Sequence, residues 1–316
     1  MTQPAKQWKS FPDQLTLLKM RGLQVENEGA ALDYLERIGY YRLAGYWYPF
    51  RKLKLQPSSS HSLREDVFLS DSHFEDGVRL YVFDKKLRLL ALDALERIEL
   101  AVRVDIAYLL GQQDTFAHKN PACFHPNFVK PNPKNTSGQS DYDKWLEGFN
   151  RLQHKARRTA FVEHNVQLYG DLPVWVAIEI MDFGCLSHLF SGLKYADKQA
   201  IANLYGFAEG MAFEKTLRAL NFVRNVSAHH SRLWNINMVD RANLKVLGAE
   251  WQGLGNSKPF AYFCLMQCLM KTICPNSTWG ERFKTLMNTF PAPANQAIAL
   301  LDFGLINAWD KKQLWH

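Results

Sequence analysis

The sequence predicts an all-α protein, on three observations. Apolar residues recur at helical steps over most of the chain: Phe83, Leu87, Leu90, Ala94, Ile98 and Ala101 step by four, three, four, four and three, one face of a long helix. No alternating run bounded by turn signals is strong enough to read as a sheet. The composition, 47% hydrophobic and 22% charged over 316 residues, is that of a globular chain able to bury a large core. It excludes a disordered chain and a collagen-like one. Five cysteines, sparse and odd in number, exclude a disulfide scaffold.

Three breaks organise the chain. Residues 1–62 form an aromatic-rich helical region that carries YYRLAGYWYPF at Tyr40–Phe50 and closes on the Ser-rich Gln56–Ser62. Residues 63–240 read as a helical domain with a long irregular insertion at about 117–143, marked by Pro121, Pro126, Pro131 and Pro133. The break Trp251–Pro259 lies within the last region, 241–316, which is helical again. Local signals place Asp171 as an N-cap with Pro173 in the first turn, and Gly184 as a helix stop. Gly206 separates a helix at 200–205 from one starting near Met211.

Phe260–Met270 is the most apolar stretch, yet it is too short to span a bilayer and is interrupted by Gln267. Met1–Gln14 lacks the apolar core of a signal peptide. The expectation is a cytoplasmic protein with reduced thiols, Cys264, Cys268 and Cys274 serving as core residues, and neither metal nor cofactor. Lys plus Arg number 38 against 31 Asp plus Glu, a net +7 that permits a nucleic-acid partner without demanding one.

Phe213–Trp234 (FEKTLRALNFVRNVSAHHSRLW) is the most informative segment. Phe213, Leu217, Leu220 and Arg224 follow one helical stripe, while Glu214, Arg218, Asn221, Asn225 and His229 form a polar edge beside it. Arg224 and His229 lie about 140° apart on an ideal helix, and the long Arg side chain can sweep back across Asn225. Arg offers a cationic fork for phosphate oxygens, and His exchanges protons near neutral pH. Together they fit RNA scission by the RNA's own 2′-hydroxyl, with a base, an acid and a cation on the phosphorane. The same residue types also occur as cap and salt-bridge groups at helix ends, and spacing alone leaves both readings open.

Arg224-Asn225-Val226-Ser227-Ala228-His229 resembles the Rx4–6H signature of HEPN domains. The surrounding text is similar to the Abi_2 family of AbiD/AbiF-like abortive-infection proteins. It shares LLKMRGL at 17–23, YLERIGYYRLAGYWYPF at 34–50, LERIELAVR at 95–103, YGDLPVWVAIEIMDFGCLS at 169–187 and RNVSAHHSRLWN at 224–235, in family order. The resemblance implies a HEPN-like helical bundle, a role in phage defence and a metal-independent ribonuclease. Arg224 and His229 would be its active-site pair, with Asn225 as the intervening polar residue. It also implies an association with small non-coding RNA. Since one chain holds one Arg/His motif and cleavage needs an acid and a base, a homodimer is the expected assembly. The other reading is a non-catalytic RNA-binding module that forms a ribonucleoprotein with a small RNA.

Several residues are expected to support the pair. Glu99 interrupts a second apolar stripe of the long helix (Leu92, Leu95, Val102, Ile106, Leu109), so its carboxylate needs a partner, either Arg103 at i+4 or Arg224 on a neighbouring helix. Glu179 raises the same question, and His230 follows the motif directly. Arg151, Lys155, Arg157 and Arg158, beside Lys130 and Lys134 of the insertion, form a positive cluster for RNA or a merely solvated face. Tyr40–Phe50 reads mainly as core, with Arg42 available to a phosphate.

Overall fold

The computed structural model describes residues 7–54, 63–133 and 138–316; the Ser-rich Gln56–Ser62 and Lys134 lie outside them. The architecture is all-α around one helix, α4 (Phe74–Gln113), whose 40 residues rise about 60 Å. Phe83, Leu87, Leu90, Ala94 and Ile98 are buried as their spacing predicts, while Ala101 is half-buried.

α1 (Phe11–Met20) and α2 (Glu28–Arg37) are started by the side chains of Ser10 and Asn27, which accept from Asp13 N and Ala30 N. α3 (Tyr40–Trp47) then buries Tyr46 and Trp47, with Phe50 just beyond, against α4, so the aromatic segment is core apart from rings such as the exposed Tyr41. Trp47 donates its Nε1–H to the Phe74 carbonyl, 3.0 Å away. Its ring lies so close to Gly77 that a Cβ there would sit 2.2 Å from it. Only glycine fits.

A small sheet departs from the sequence reading. β1 (Arg51–Leu53) pairs antiparallel with β2 (Arg64–Phe68) in a two-stranded sheet. Both strands are short and rich in charge, so no alternation announced them. Backbone bonds from Phe68 N to Arg21 O and from Leu69 N to Phe50 O tie the second strand to the core.

The insertion carries α5 (Pro126–Val129) and leads into α6 (Asp141–Ala156), and the two bury Phe128, Tyr142, Trp145 and Phe149. α7 (Ala160–Tyr169) stops at Gly170, whose φ of +76° is the left-handed form glycine accepts. Two helix boundaries fall elsewhere than the sequence predicts. Helix α8 (Val174–Ala177) begins after Pro173, which occupies the cap position itself. Asp171 instead accepts from Lys119 Nζ, Gln153 Nε2 and the N–H of Leu172. Gly184 does not stop a helix: it lies in the first turn of α9 (Phe183–Gly192), which Asp182 caps by accepting from Cys185 N at 2.8 Å. The stop had already come, because α8 passes into a single 3₁₀ turn, Ile178–Ile180.

α10 (Tyr195–Leu204) ends before Gly206 (φ +76°), and α11 (Gly210–Ala228) follows, as expected. α12 (Phe260–Ile273), α13 (Trp279–Met287) and α14 (Leu300–Phe303) complete the chain. α12 packs along α4 with Cys264 fully buried, and Trp279 Nε1 donates to the Leu90 carbonyl at 2.8 Å. One hydrophobic cluster runs from Leu15 to Trp315. Among the described residues no helix is long and apolar enough to cross a membrane.

Candidate active site

α11 packs against α4, α9 and α10, burying Phe213, Leu217, Leu220 and Val223. The polar edge divides along its length. Glu214, near the start, is taken by Lys198 at 2.6 Å. Arg224, one turn from the end, lines a groove of about 390 Å³ between α11 and α4, with Leu92, Leu95, Glu96, Glu99, Leu100 and Arg103. Its Nη1 donates to Asn225 Oδ1 at 3.2 Å.

Glu99 has both of the partners considered for it, in different ways. Arg103 binds it directly at 2.5 Å, the local i+4 pair. Burial holds the Glu99 carboxyl above its ordinary value, and the positive charges of Arg103 and then Arg224 offset only part of that rise. Arg103 also donates to the Met181 carbonyl and stands 3.9 Å from Glu179, whose side chain is half-exposed. The groove therefore holds two guanidinium groups, Arg103 fixed by Glu99 and the Met181 carbonyl and Arg224 by the Asn225 side chain.

The helix end is built to hold a turn. His229 is the C-cap, with its N–H on the Asn225 carbonyl at 3.0 Å. His230 N donates to Ser227 O and Ser231 N to Val226 O, the two bonds of a Schellman turn. The residue at the left-handed position of such turns is usually glycine; here it is His230, at φ +57°. Arg42 Nη1 donates to the His230 carbonyl at 2.6 Å, so this arginine, read in the sequence as a phosphate contact, braces the motif. Arg232 donates likewise to the Gly45 carbonyl.

A buried network beneath the turn was missed in the sequence. Asp84, fully buried, pairs with Arg88 at 2.5 Å and accepts from the Tyr46 hydroxyl at 2.7 Å. It also accepts from the N–H groups of Leu233 (3.2 Å) and Trp234 (2.8 Å), while Arg88 reaches the Ser231 carbonyl at 3.4 Å. Burial and the Asp84 charge push the Tyr46 hydroxyl above its ordinary value. The signal was present: Asp84 and Arg88 stand at i and i+4 among Leu80, Leu87 and Ala91, an ion pair written into an apolar stripe.

The structure thus brings Arg224, Asn225, Glu99 and Arg103 together. It sets His229 one turn away, with its imidazole at the surface and hydrogen-bonded to no described residue; it does not line the groove. His230, also exposed, contributes through its backbone. Arg151, Lys155, Arg157 and Arg158 are exposed at the end of α6 and just after it, and Lys130 is exposed after α5; none lines the groove. Glu26, His73 and Glu75 bring ligand-type atoms within 4.8 Å of one another. That group sits at the start of α4, about 36 Å along the helix from Glu99, and is no part of this site.

The family model of the Abi-like proteins, Abi_2, matches residues 33–235, which include α3, α4, the groove and the whole clamped turn. No curated protein and no solved structure matches the chain. With well over half of its length matched, this chain belongs to the family of Abi-like proteins.

Proposed function

We propose that this protein is a phage-defence ribonuclease of HEPN type, acting in abortive infection and cleaving RNA without a metal through Arg224 and His229. The observation that carries the reading is the helix end itself: an arginine in a groove, bonded to the Asn225 side chain, and a surface histidine on a turn braced by four separate side chains. Preorganisation of this kind suits a group that must meet a developing charge. Family membership points to abortive infection.

In the proposed reaction His229 removes the proton of the 2′-hydroxyl, whose oxygen attacks the adjacent phosphorus. Arg224 stabilises the crowded phosphorane, and Asn225 orients the guanidinium. The 5′-oxygen leaves with a proton supplied by an acid, and the products carry a 2′,3′-cyclic phosphate and a 5′-hydroxyl. One chain offers one such imidazole, so the acid is His229 of a second copy across a twofold axis. The mechanism selects RNA, because DNA lacks the attacking hydroxyl.

Incubating the purified protein with RNA and analysing the ends tests this. Cyclic phosphate ends that survive EDTA, and that vanish in folded His229→Ala and Arg224→Ala variants, are expected; undiminished cleavage by either variant overturns the assignment. A second reading rests on the basic cluster Arg151, Lys155, Arg157 and Arg158, which is exposed away from the groove. It makes the protein a binder of small RNA with no cleavage, and the same assay separates the two.

A further inference from the structure

Next to the groove, α4 and α8 enclose a second hollow, of about 480 Å³. Three large side chains on its wall are turned to solvent: Val104, Tyr108 and Trp175 are 63%, 72% and 50% exposed. The six-membered ring of Trp175 rests on Gly111, where an added Cβ would come within 3.3 Å of it, so one side of the indole is seated on the helix while the residue stays half-exposed. Two polar side chains, Gln112 and Glu179, also line the hollow. Glu179 is 3.9 Å from Arg103, and Arg103 lines the neighbouring groove with Arg224. Along the surface, the Arg224 and Arg103 guanidinium groups, with Glu96 and Glu99 beside them in the groove, lead to the aromatic hollow.

We propose that this hollow is a stacking subsite for one unpaired nucleobase of an RNA strand whose backbone passes Arg103 and Arg224. The inference rests on the ribonuclease reading and names how its substrate is held. A single strand carries an anion beside a flat, apolar-faced ring whose edge has hydrogen-bonding groups, and the groove and the adjoining hollow set guanidinium groups beside an aromatic surface. Trp175 and Tyr108 offer aromatic surface to the ring, Gln112 can donate and accept at its edge, and Glu179 can accept from an amino or imino group. From Arg103 to Gly111 the helix rises about 12 Å, the reach of a few nucleotides of one strand. A duplex cannot insert a stacked, paired base here, so the subsite favours loops and unpaired ends. A second copy of the chain, the other occupant an apolar hollow can take, would bring no requirement for a cation at its border.

The test uses the full chain carrying His229→Ala, so that bound RNA persists, and short single-stranded oligonucleotides in which an abasic unit is stepped along the sequence. One position is expected to lose about tenfold in affinity when abasic, the scale of a single base–aromatic stack. Adding Trp175→Ala should impose a similar loss on the intact oligonucleotide and abolish the abasic penalty, while Trp175→Phe restores most of both. Equal affinity with and without the Trp175 indole, or an abasic penalty that persists in Trp175→Ala, overturns the subsite. So does a fall from dimer to monomer in Trp175→Ala by light scattering, which assigns the hollow to a second copy. Failure here with cleavage intact in the otherwise unchanged protein leaves the ribonuclease reading standing; absence of any RNA binding removes both.

Discussion

The carboxylate of Asp84 accepts the backbone N–H of Trp234, 150 positions later in the chain, at 2.8 Å. With Leu233 N–H, the Tyr46 hydroxyl and Arg88 on the same two oxygens, this buried side chain joins α3, α4 and the segment after the motif. Asp84→Ala leaves Arg88 charged and without its counterion at 4% exposure. A loss of about 3–5 kcal/mol is expected, read from urea denaturation, because one partner of a buried pair is removed and the other stays. RNA cleavage should fall with it even in the fraction that stays folded, since Ser231–Trp234 loses its anchor.

Substituting His230 separates backbone from side chain. It adopts φ +57° and takes part through its backbone, the N–H donating to Ser227 and the carbonyl accepting from Arg42. His230→Gly removes the strain of a left-handed non-glycine residue and is expected to stabilise the fold by up to about 1 kcal/mol, with cleavage kept. His229→Ala, at an exposed position, should leave the melting temperature within a degree or two while abolishing cleavage.

Acid should destabilise the protein through His118. This side chain is fully buried against Phe149, and burial, with Lys119 nearby, lowers its pKa to about 4 from 6.5. The unfolded chain binds the proton more readily, so the stabilisation is complete above about pH 6.5 and is lost as pH falls towards 4. Its full size is about 3 kcal/mol. Denaturation curves at pH 7 and pH 4.5 should differ by most of this amount in the natural protein. In His118→Leu the difference should shrink.

Gly77→Ala tests the seat of the aromatic segment. The new methyl would meet the Trp47 ring at 2.2 Å, and Trp47 is held by its bond to the Phe74 carbonyl. Overpacking at a site this tight should cost about 1–3 kcal/mol, measured by thermal unfolding; Gly77→Ala together with Trp47→Leu should recover part of it.

Local periodicity carried the helices well where they were long. The stripe from Phe83 to Ile98 and the boundary at Gly206 could be read because each depends on neighbours within a turn or two. Asp171 and Gly184 misled because α8 is a single turn followed by 3₁₀ geometry, so a cap residue was engaged by Lys119 and a glycine opened a helix. The small sheet was invisible because its strands are short and charged. At the candidate site, spacing placed Arg224 and His229 on one helix end, and an interrupted stripe marked Glu99. The clamp from Arg42, Arg88 and Asp84 could not be read as a clamp, since it joins residues more than a hundred positions apart.

α4 acts as a ruler. Gly77 seats Trp47, Asp84 and Arg88 grip the motif turn, Leu90 receives Trp279, and Glu99 and Arg103 wall the groove, all as marks on one unbroken rod. Adding a single residue between Arg88 and Glu99 would rotate the later marks by about 100° and slide them about 1.5 Å relative to the earlier ones. The length of the rod between grip and groove is therefore as constrained as the side chains that stand at its marks.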